Sequence, residues 1–509
     1  MMPLASGWGA VELPAAGHRA DLAMEPRQPG ASAPLLVLTA FLGGFMTMSL
    51  EIMGFRVLAP HFGYSVYVFG SLIGLILSSL SLGYWIGGYS SSRGLKPGHF
   101  ALILLAASNY LLLASICSHA ILVKLSVLGP VAGAMLATLV LWGPPMVAFA
   151  TIAPYLVGLR AGREQPGRSA GWVSAVGTLG ALAGTFATSF YLIPSFGTRA
   201  IFLGNASAAT MLSVIWLVSA GKRRFVVAVA APLMVWAMPV ANWPLGTIHL
   251  EESVYSRLEV IDDGDLIGLR TDLRSGTLYS GATTDGTLPP FLVYDLFAVP
   301  PLANNAKHGL LLGLGAGTLA RIHHLLNPTF RLTGVEIDPR VVSLGKTFFG
   351  LDDIPSIDTI IIADARPFLA HHQKRYDIIE LDVFRSVEIP FYLVSKEFFH
   401  LTKTRLTQTG AVVMNVYDRT RGGVISSRIA NTLASVFNEV RLVAAGPSSF
   451  LLVASMAPLV VPERVAGMDT TLASLVDYYN ANVRAVAYFE AAGTFTDDHA
   501  PIETLYAPN

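Results

Sequence analysis

Hydrophobic and polar positions divide this chain near residue 245. Before that point apolar runs recur at 34–58, 66–91, 100–122, 129–159, 169–195, 200–220 and 225–242, with polar residues between them. All but the last hold about 20 residues or more, the length a helix needs to cross the hydrocarbon of a bilayer. About seven spans are therefore expected over 34–245. The fourth run carries Pro144 and Pro145, which remove backbone donors and crowd the preceding turn, so it is expected as one kinked helix or a helix with a re-entrant piece. The last run is short and broken by Pro232 and Pro239, and is expected to re-enter or lie at the interface. The small residues of AVGTLGALAGTFA at 175–187 suit close helix packing. Residues 1–33, rich in Ala, Gly and Pro, lack a signal-peptide layout and read as a disordered tail.

From Thr247 the period shortens. HLEESVYSRLEVIDD (249–263) and LIGLRTDLRSGTLYSGA (266–282) predict a small β-structure over 247–285, and PPFLVYDLFAVPPLA (289–303) predicts a helix that carries Tyr294 toward a sheet edge. An apolar run at 309–314 then enters a glycine turn of Gly313, Gly315 and Gly317. A helical run follows, and a second apolar strand closes on Glu336 and Asp338. This is a βαβ unit whose glycines allow a tight turn and close approach of a ligand to the backbone. Glu336, about 20 residues past the turn, is placed to offer a carboxylate to ribose hydroxyls. Two further strands, TIIIA (359–363) and YDIIELD (376–382), end on Asp364 and Asp382. Three acids thus fall along one carboxyl edge of a parallel sheet, the edge where doubly wound folds hold ligands.

Composition strengthens the division. With 53% hydrophobic and 13% charged residues, the 509-residue chain is too apolar for an ordinary soluble enzyme. Its zero net charge hides an asymmetry: residues 1–245 carry 13 Lys+Arg against 5 Asp+Glu, and the remainder 21 against 29. The basic residues Arg93, Lys96, Arg160, Arg163, Arg168, Lys222, Arg223 and Arg224 follow even-numbered spans, which marks those loops as cytoplasmic by the positive-inside rule. Glu51 lies inside the first run as a candidate functional acid or a helix-end residue near Arg56. The lone Cys117 excludes an intrachain disulfide. His323-His324 and His371-His372 are expected to be solvated; no His/Cys/Asp cluster has metal-ligand spacing, and no basic aromatic face suggests nucleic acid.

These motifs resemble the spermidine synthase family of polyamine aminopropyltransferases over residues 249 to about 440. The apolar half and the ending TDDHAPIE (496–503) resemble the bacterial fused form, with a multi-span membrane domain in front. The resemblance implies a multi-span α-helical membrane domain (34–245) followed by an α/β Rossmann-like, class I methyltransferase-type domain (246–509). The latter would comprise the small β-structure, a core over 300–460 and a C-terminal segment over 461–509. It implies decarboxylated S-adenosylmethionine as donor, an amine acceptor and no metal. The setting expected is the bacterial inner membrane, with a homo-oligomer and a cytoplasmic catalytic domain. Carried over, Gly313, Gly315, Gly317 and Glu336 would hold the nucleoside, Asp364 would face the adenine, Asp382 would act at the reacting amine, and Tyr294 would line the acceptor site.

Two departures touch the substrate. The family's turn resembles GGGDGG, whereas this chain reads GLGAGT, with Ala316 in place of the acid; a family DxxD becomes Asp382-Val-Phe-Arg385. Ala316 and Arg385 would suit a donor that keeps its carboxylate, which a guanidinium can grip in a forked pair, or Arg385 faces solvent or pairs with Glu388. Three readings follow: aminopropyl transfer, an enzyme acting on S-adenosylmethionine or its decarboxylated form by intramolecular displacement or methyl transfer, and a nucleoside-sensing transporter without turnover.

Overall fold

The computed structural model describes residues 32–63, 65–161, 165–222, 234, 246–271, 278–289, 291–383, 389–418, 420, 423–460, 462–464, 468–502 and 505. The N-terminal half is a bundle of α1 (Ala33–Phe62), α2 (Val66–Ser92), α3 (Pro97–Ser126), α4 (Pro130–Leu141), α5 (Gly143–Ala150), α6 (Ile152–Ala161), α7 (Pro166–Ala187) and α8 (Ile193–Ser219). Among the described residues four helices are long and apolar enough to cross a membrane, taking α7 through α8 as one 54-residue stretch, and the bent run from α4 to α6 makes five. That bend, 49°, falls beside Pro144 and Pro145, where the missing donors and ring clash predict it.

The 54-residue stretch is not one rod. Gly197 takes φ 73° within it, and the contacts on either side run in opposite directions. α7 lies parallel to α1, with Gly180 against Phe41 and Gly184 against Phe45. α8 lies antiparallel to α1, with Asn205 donating to Ser49 at 3.0 Å and Trp216 to Thr39 at 2.9 Å. The described bundle therefore passes back and forth six times. A Cβ on Gly180 or Gly184 would run into the carbonyl of Phe41 or Phe45, so this seam owes its closeness to the small residues seen at 175–187.

The ends of the bundle differ. Gly158 meets Ser91 and the Lys222 side chain lies over Gly98, which gathers Arg93, Lys96, Arg160, Arg168 and Lys222 at one end. The C-terminal half docks on the other, where Arg56 of α1 and Thr198 at the head of α8 bond residues 252–254. The seventh run at 225–242 lies outside the described residues apart from Met234, as do Arg163, Arg223, Arg224 and the tail before Ser32.

The C-terminal half opens with an antiparallel meander of β1 (Thr247–Glu252), β2 (Arg257–Asp262), β3 (Leu266–Arg270) and β4 (Ser280–Thr283). Its main sheet has eight strands: β5 (His308–Leu312), β6 (Arg331–Glu336), β7 (Ile357–Ile362), β8 (Tyr376–Leu381), β9 (Leu406–Tyr417), β10 (Glu439–Ala444), β11 (Ser449–Ser455) and β12 (Val483–Ala485), in the order β12-β10-β11-β9-β8-β5-β6-β7. β7, β6, β5, β8 and β9 are parallel, and β11 runs against β9 and β10. Helices cover both faces, which explains continuous apolar runs in place of alternation. Leu310, Leu312, Ile379 and Leu381 pack on one face, and Leu311, Ile378 and Val413 on the other. The order turns back between β5 and β8, and an open crevice forms at the carboxyl ends of strands at such a point.

Candidate active site

The glycine turn leaves β5 at that crevice. Gly313, Gly315 and Gly317 take φ 91°, 58° and 96°, values that side chains with a Cβ rarely adopt. Space is equally restrictive: a Cβ on Gly313 would strike the Asp382 carbonyl, and one on Gly315 would come within 2.5 Å of the Ser280 hydroxyl. β4 lies over the turn and fixes it. Ala316 N donates to Ser280 Oγ at 2.9 Å, while Gly281 N donates to Thr318 Oγ1 at 2.8 Å.

Glu336 ends β6 fully inside the protein. One oxygen accepts from Gly315 N at 2.9 Å and the other from Asp338 N at 3.0 Å. Burial pushes its carboxyl up to about 7, against the pull of these N–H groups. Asp338 caps the helix Pro339–Phe348 through Arg340 N at 2.9 Å and takes the Ser253 hydroxyl on its second oxygen. Asp364 caps Ala365–His371 through Arg366 N at 3.0 Å, and Tyr392 OH reaches it at 3.3 Å. The chain therefore gives two of its acids local structural work as helix caps, with the cleft on their other side.

A cleft open to solvent runs along this edge. Gly313, Glu336, Asp338 and Asp364 line its sheet side, Tyr255, Ser256 and Tyr279 come from the meander, and Val383 and Tyr392 face them. Just past Gly313 and Val383 stands Asp382, which accepts from Asn415 Nδ2 at 3.0 Å and from the Tyr294 hydroxyl. Burial pushes the Asp382 carboxyl up to about 6, and those two hydrogen bonds pull it back. The Tyr294 hydroxyl is pushed well above its ordinary value by burial and by Asp382. The pair is thus a carboxylate with two donors on it, beside the cleft.

Gly313, Gly315, Glu336, Asp364, Asp382 and Tyr294 are thus brought together, while Gly317 heads the helix Thr318–Leu326. Ala316 is not among the residues lining the cleft; it is buried in an apolar cluster with Leu258, Leu269, Val341 and Leu344. Arg385 and Glu388 lie outside the described residues. His323 is not solvated as expected: it is fully buried and bonds Glu380 at 2.8 Å, because its helix turns that face onto the sheet. Among the described residues no group of three or more His, Cys, Asp or Glu could hold a metal ion.

Tyr279 was not legible beforehand. It lines the cleft, and its hydroxyl is pushed well above its ordinary value by burial and by the nearby Glu336, Asp382, Tyr294 and Asp338. Asn415 likewise comes from β9, about 33 residues beyond Asp382, and only the sheet order makes them neighbours.

This strand order, with a glycine turn and acids along one carboxyl edge, defines a Rossmann-like domain of the methyltransferase type. Residues 296–447 match the family model described as the spermine/spermidine synthase domain. The chain is 32% identical over 242 residues to a probable polyamine aminopropyl transferase of Bifidobacterium longum, covering 46% of this chain and 53% of that protein. It is 27% identical over 301 residues to a polyamine aminopropyltransferase of Corynebacterium efficiens, covering 52% and 54%. A probable spermidine synthase structure from Corynebacterium glutamicum aligns with a TM-score of 0.40 and 21% identity, over 53% of this chain and 100% of that one. The chain spans about half the length of the curated relatives it matches.

Proposed function

We propose that this protein is a membrane-bound transferase of the spermidine synthase type, moving an aminopropyl group from decarboxylated S-adenosylmethionine to an amine and releasing methylthioadenosine. The observation that carries this reading is Asp382, held between Tyr294 and Asn415 at the turning point of the sheet and next to the cleft floored by Glu336. The amine nitrogen attacks the carbon attached to sulfur; the C–N bond forms as the C–S bond breaks, and its electron pair stays on the sulfur of methylthioadenosine. An amine is mostly protonated near pH 7 and must lose a proton to attack. A carboxyl near 6 is largely ionised there, attracts the ammonium and can take its proton as a general base. Glu336, Asp364 and the turn hold the nucleoside, so the remaining task is alignment of the reacting atoms. The names of the matched relatives support the same activity. The test is release of methylthioadenosine by the purified chain, with and without an amine.

A second reading is favoured by one observation. Ala316 faces an apolar cluster, so the turn offers no carboxylate for the donor's amine at that position. An enzyme that displaces methylthioadenosine within the donor, with no acceptor, would release it in the absence of any amine.

The apolar bundle supports a membrane setting, and its polarity bears on the side. Against Arg56, Lys124 and Arg199 at the near end, five of the described basic residues, Arg93, Lys96, Arg160, Arg168 and Lys222, gather at the end away from the C-terminal half. By the positive-inside rule that end is cytoplasmic, which favours the domain on the opposite face of the membrane, not on the cytoplasmic one expected from where sulfonium nucleosides are made. The donor would then have to be delivered across the membrane.

A further inference from the structure

The two halves meet at the end of β1 through two adjacent residues. The Glu252 carboxylate accepts from Thr198 N at 3.2 Å and from Thr198 Oγ1 at 2.9 Å, at the head of α8. The next residue belongs to a different helix: the Arg56 guanidinium of α1 donates to the carbonyl of Ser253 and, at 3.1 Å, to that of Val254.

Those two carbonyls form the outer side of a tight turn, Ser253 to Ser256, closed by Ser253 N donating to Ser256 O at 2.9 Å. On its inner side the Ser253 hydroxyl accepts from Tyr255 N and Ser256 N, both at 3.0 Å. Its proton has two acceptors in reach, the Asp338 carboxylate and, at 3.1 Å, the Ser256 carbonyl. Ser253 and Asp338 are 2% and 3% exposed, and a buried polar group left unpaired is costly. The turn and its partner also belong to the cleft: Tyr255, Ser256 and Asp338 all line it. A continuous chain of hydrogen bonds thus runs from a bundle helix, through one turn, to an acid of the cleft.

We propose that Arg56 is a positioning residue of the nucleoside cleft, through which the helix bundle sets the affinity for the nucleoside. This rests on the reading that the cleft takes the nucleoside of the donor. Arg56 touches no substrate; it holds the backbone of a turn whose serine holds Asp338 and whose Tyr255 and Ser256 form one wall. Guanidinium geometry suits the task, because Nη1 and Nη2 of one rigid planar fork each meet one of two successive carbonyls.

The test uses the full-length chain in detergent, with methylthioadenosine as the probe in calorimetry and with steady-state kinetics in parallel. Arg56→Met keeps most of the aliphatic stem and removes both donors. It should weaken methylthioadenosine binding about tenfold, the low end for loss of a charged hydrogen bond, and raise the donor KM by a similar factor while leaving kcat unchanged. Arg56→Lys should recover part of the affinity. Thr198→Val removes the hydroxyl half of the neighbouring clasp, leaving the backbone N–H on Glu252 and the Ser253 turn untouched, and should leave nucleoside affinity intact. Wild-type affinity in Arg56→Met, or an equal loss in Thr198→Val, would overturn the proposal, the second by reducing it to general docking of the two halves. A wild-type chain that binds no nucleoside would instead overturn the functional reading beneath it.

Discussion

Asp382→Asn tests the chemistry at one atom. The substitution preserves shape, and its amide oxygen can still accept from Asn415, which now sits 3.0 Å from the carboxylate. The Tyr294 hydroxyl, which donates to Asp382, can turn to accept from the new amide. Little stability should be lost, and methylthioadenosine affinity should stay within about twofold, the neighbourhood of surface-like changes, because Glu336 and the turn are untouched. On the proposed function, what disappears is the charge that would attract the ammonium and the base that would take its proton. Loss of a general base costs about 10²- to 10⁴-fold, or about 2.7 to 5.4 kcal/mol of barrier. The pH profile supplies a second readout. With a carboxyl near 6, wild-type turnover should fall as pH drops through about 6, and the variant's residual rate should lack that limb. Methylthioadenosine release, calorimetric affinity and melting temperature are measured on one preparation. Normal turnover per folded molecule in the Asn variant would refute the assignment, and a large drop in melting temperature at unchanged turnover would make Asp382 a loop cap only.

Other expectations follow from the same geometry. Glu336→Ala should abolish measurable nucleoside affinity, since charged hydrogen bonds are worth about 1.5 to 3 kcal/mol each; unchanged affinity would remove Glu336 from the site. Glu336 also sets a pH dependence in the empty protein. Its carboxyl titrates near 7 when folded against an ordinary 4.5, so the native state holds a proton that the unfolded chain has released. Its stabilising contribution is full below about 4.5 and is lost as pH rises through about 7, and Glu336→Gln should flatten the fall in melting temperature over that window. Gly180→Val should drive a side chain into the Phe41 carbonyl and separate α1 from α7, read as a fall in folded yield, whereas the same change at Gly171, which has open space around it, should be tolerated. A reporter fused after Asn509 should be active only in its extracytoplasmic form; activity of a cytoplasmic-only reporter would reverse the orientation argued from the basic loops.

Much of this was legible in the sequence, and the exceptions have physical reasons. The βαβ unit and the acids at 336, 364 and 382 were readable because strand ends and a glycine turn are local features, and the sheet order then brought them to one edge. The kink at Pro144-Pro145 and the tight α1–α7 seam were readable for the same reason. Tyr279 and Asn415 were not, because their roles depend on which strands end up adjacent. Ala316 was read as facing the ligand from its place in a motif, yet a turn with three positive φ values points successive side chains in different directions, and this one enters the core. His323 escaped because a histidine pair looks polar in sequence, while a helix laid on a sheet buries one of two neighbours; the burial comes with a partner, Glu380. Nor could the sequence reveal that Arg56, at the end of an apolar run, bonds backbone about 200 residues away.

The most direct measurement is product analysis of the purified full-length chain supplied with decarboxylated S-adenosylmethionine, with and without a diamine such as putrescine. Mass spectrometry should find methylthioadenosine and the aminopropylated amine in equal amounts, both absent when the amine is withheld and both strongly reduced in Asp382→Asn. Methylthioadenosine formed at full rate without any amine, or no release from a chain that binds the nucleoside, would contradict aminopropyl transfer as the function of this site.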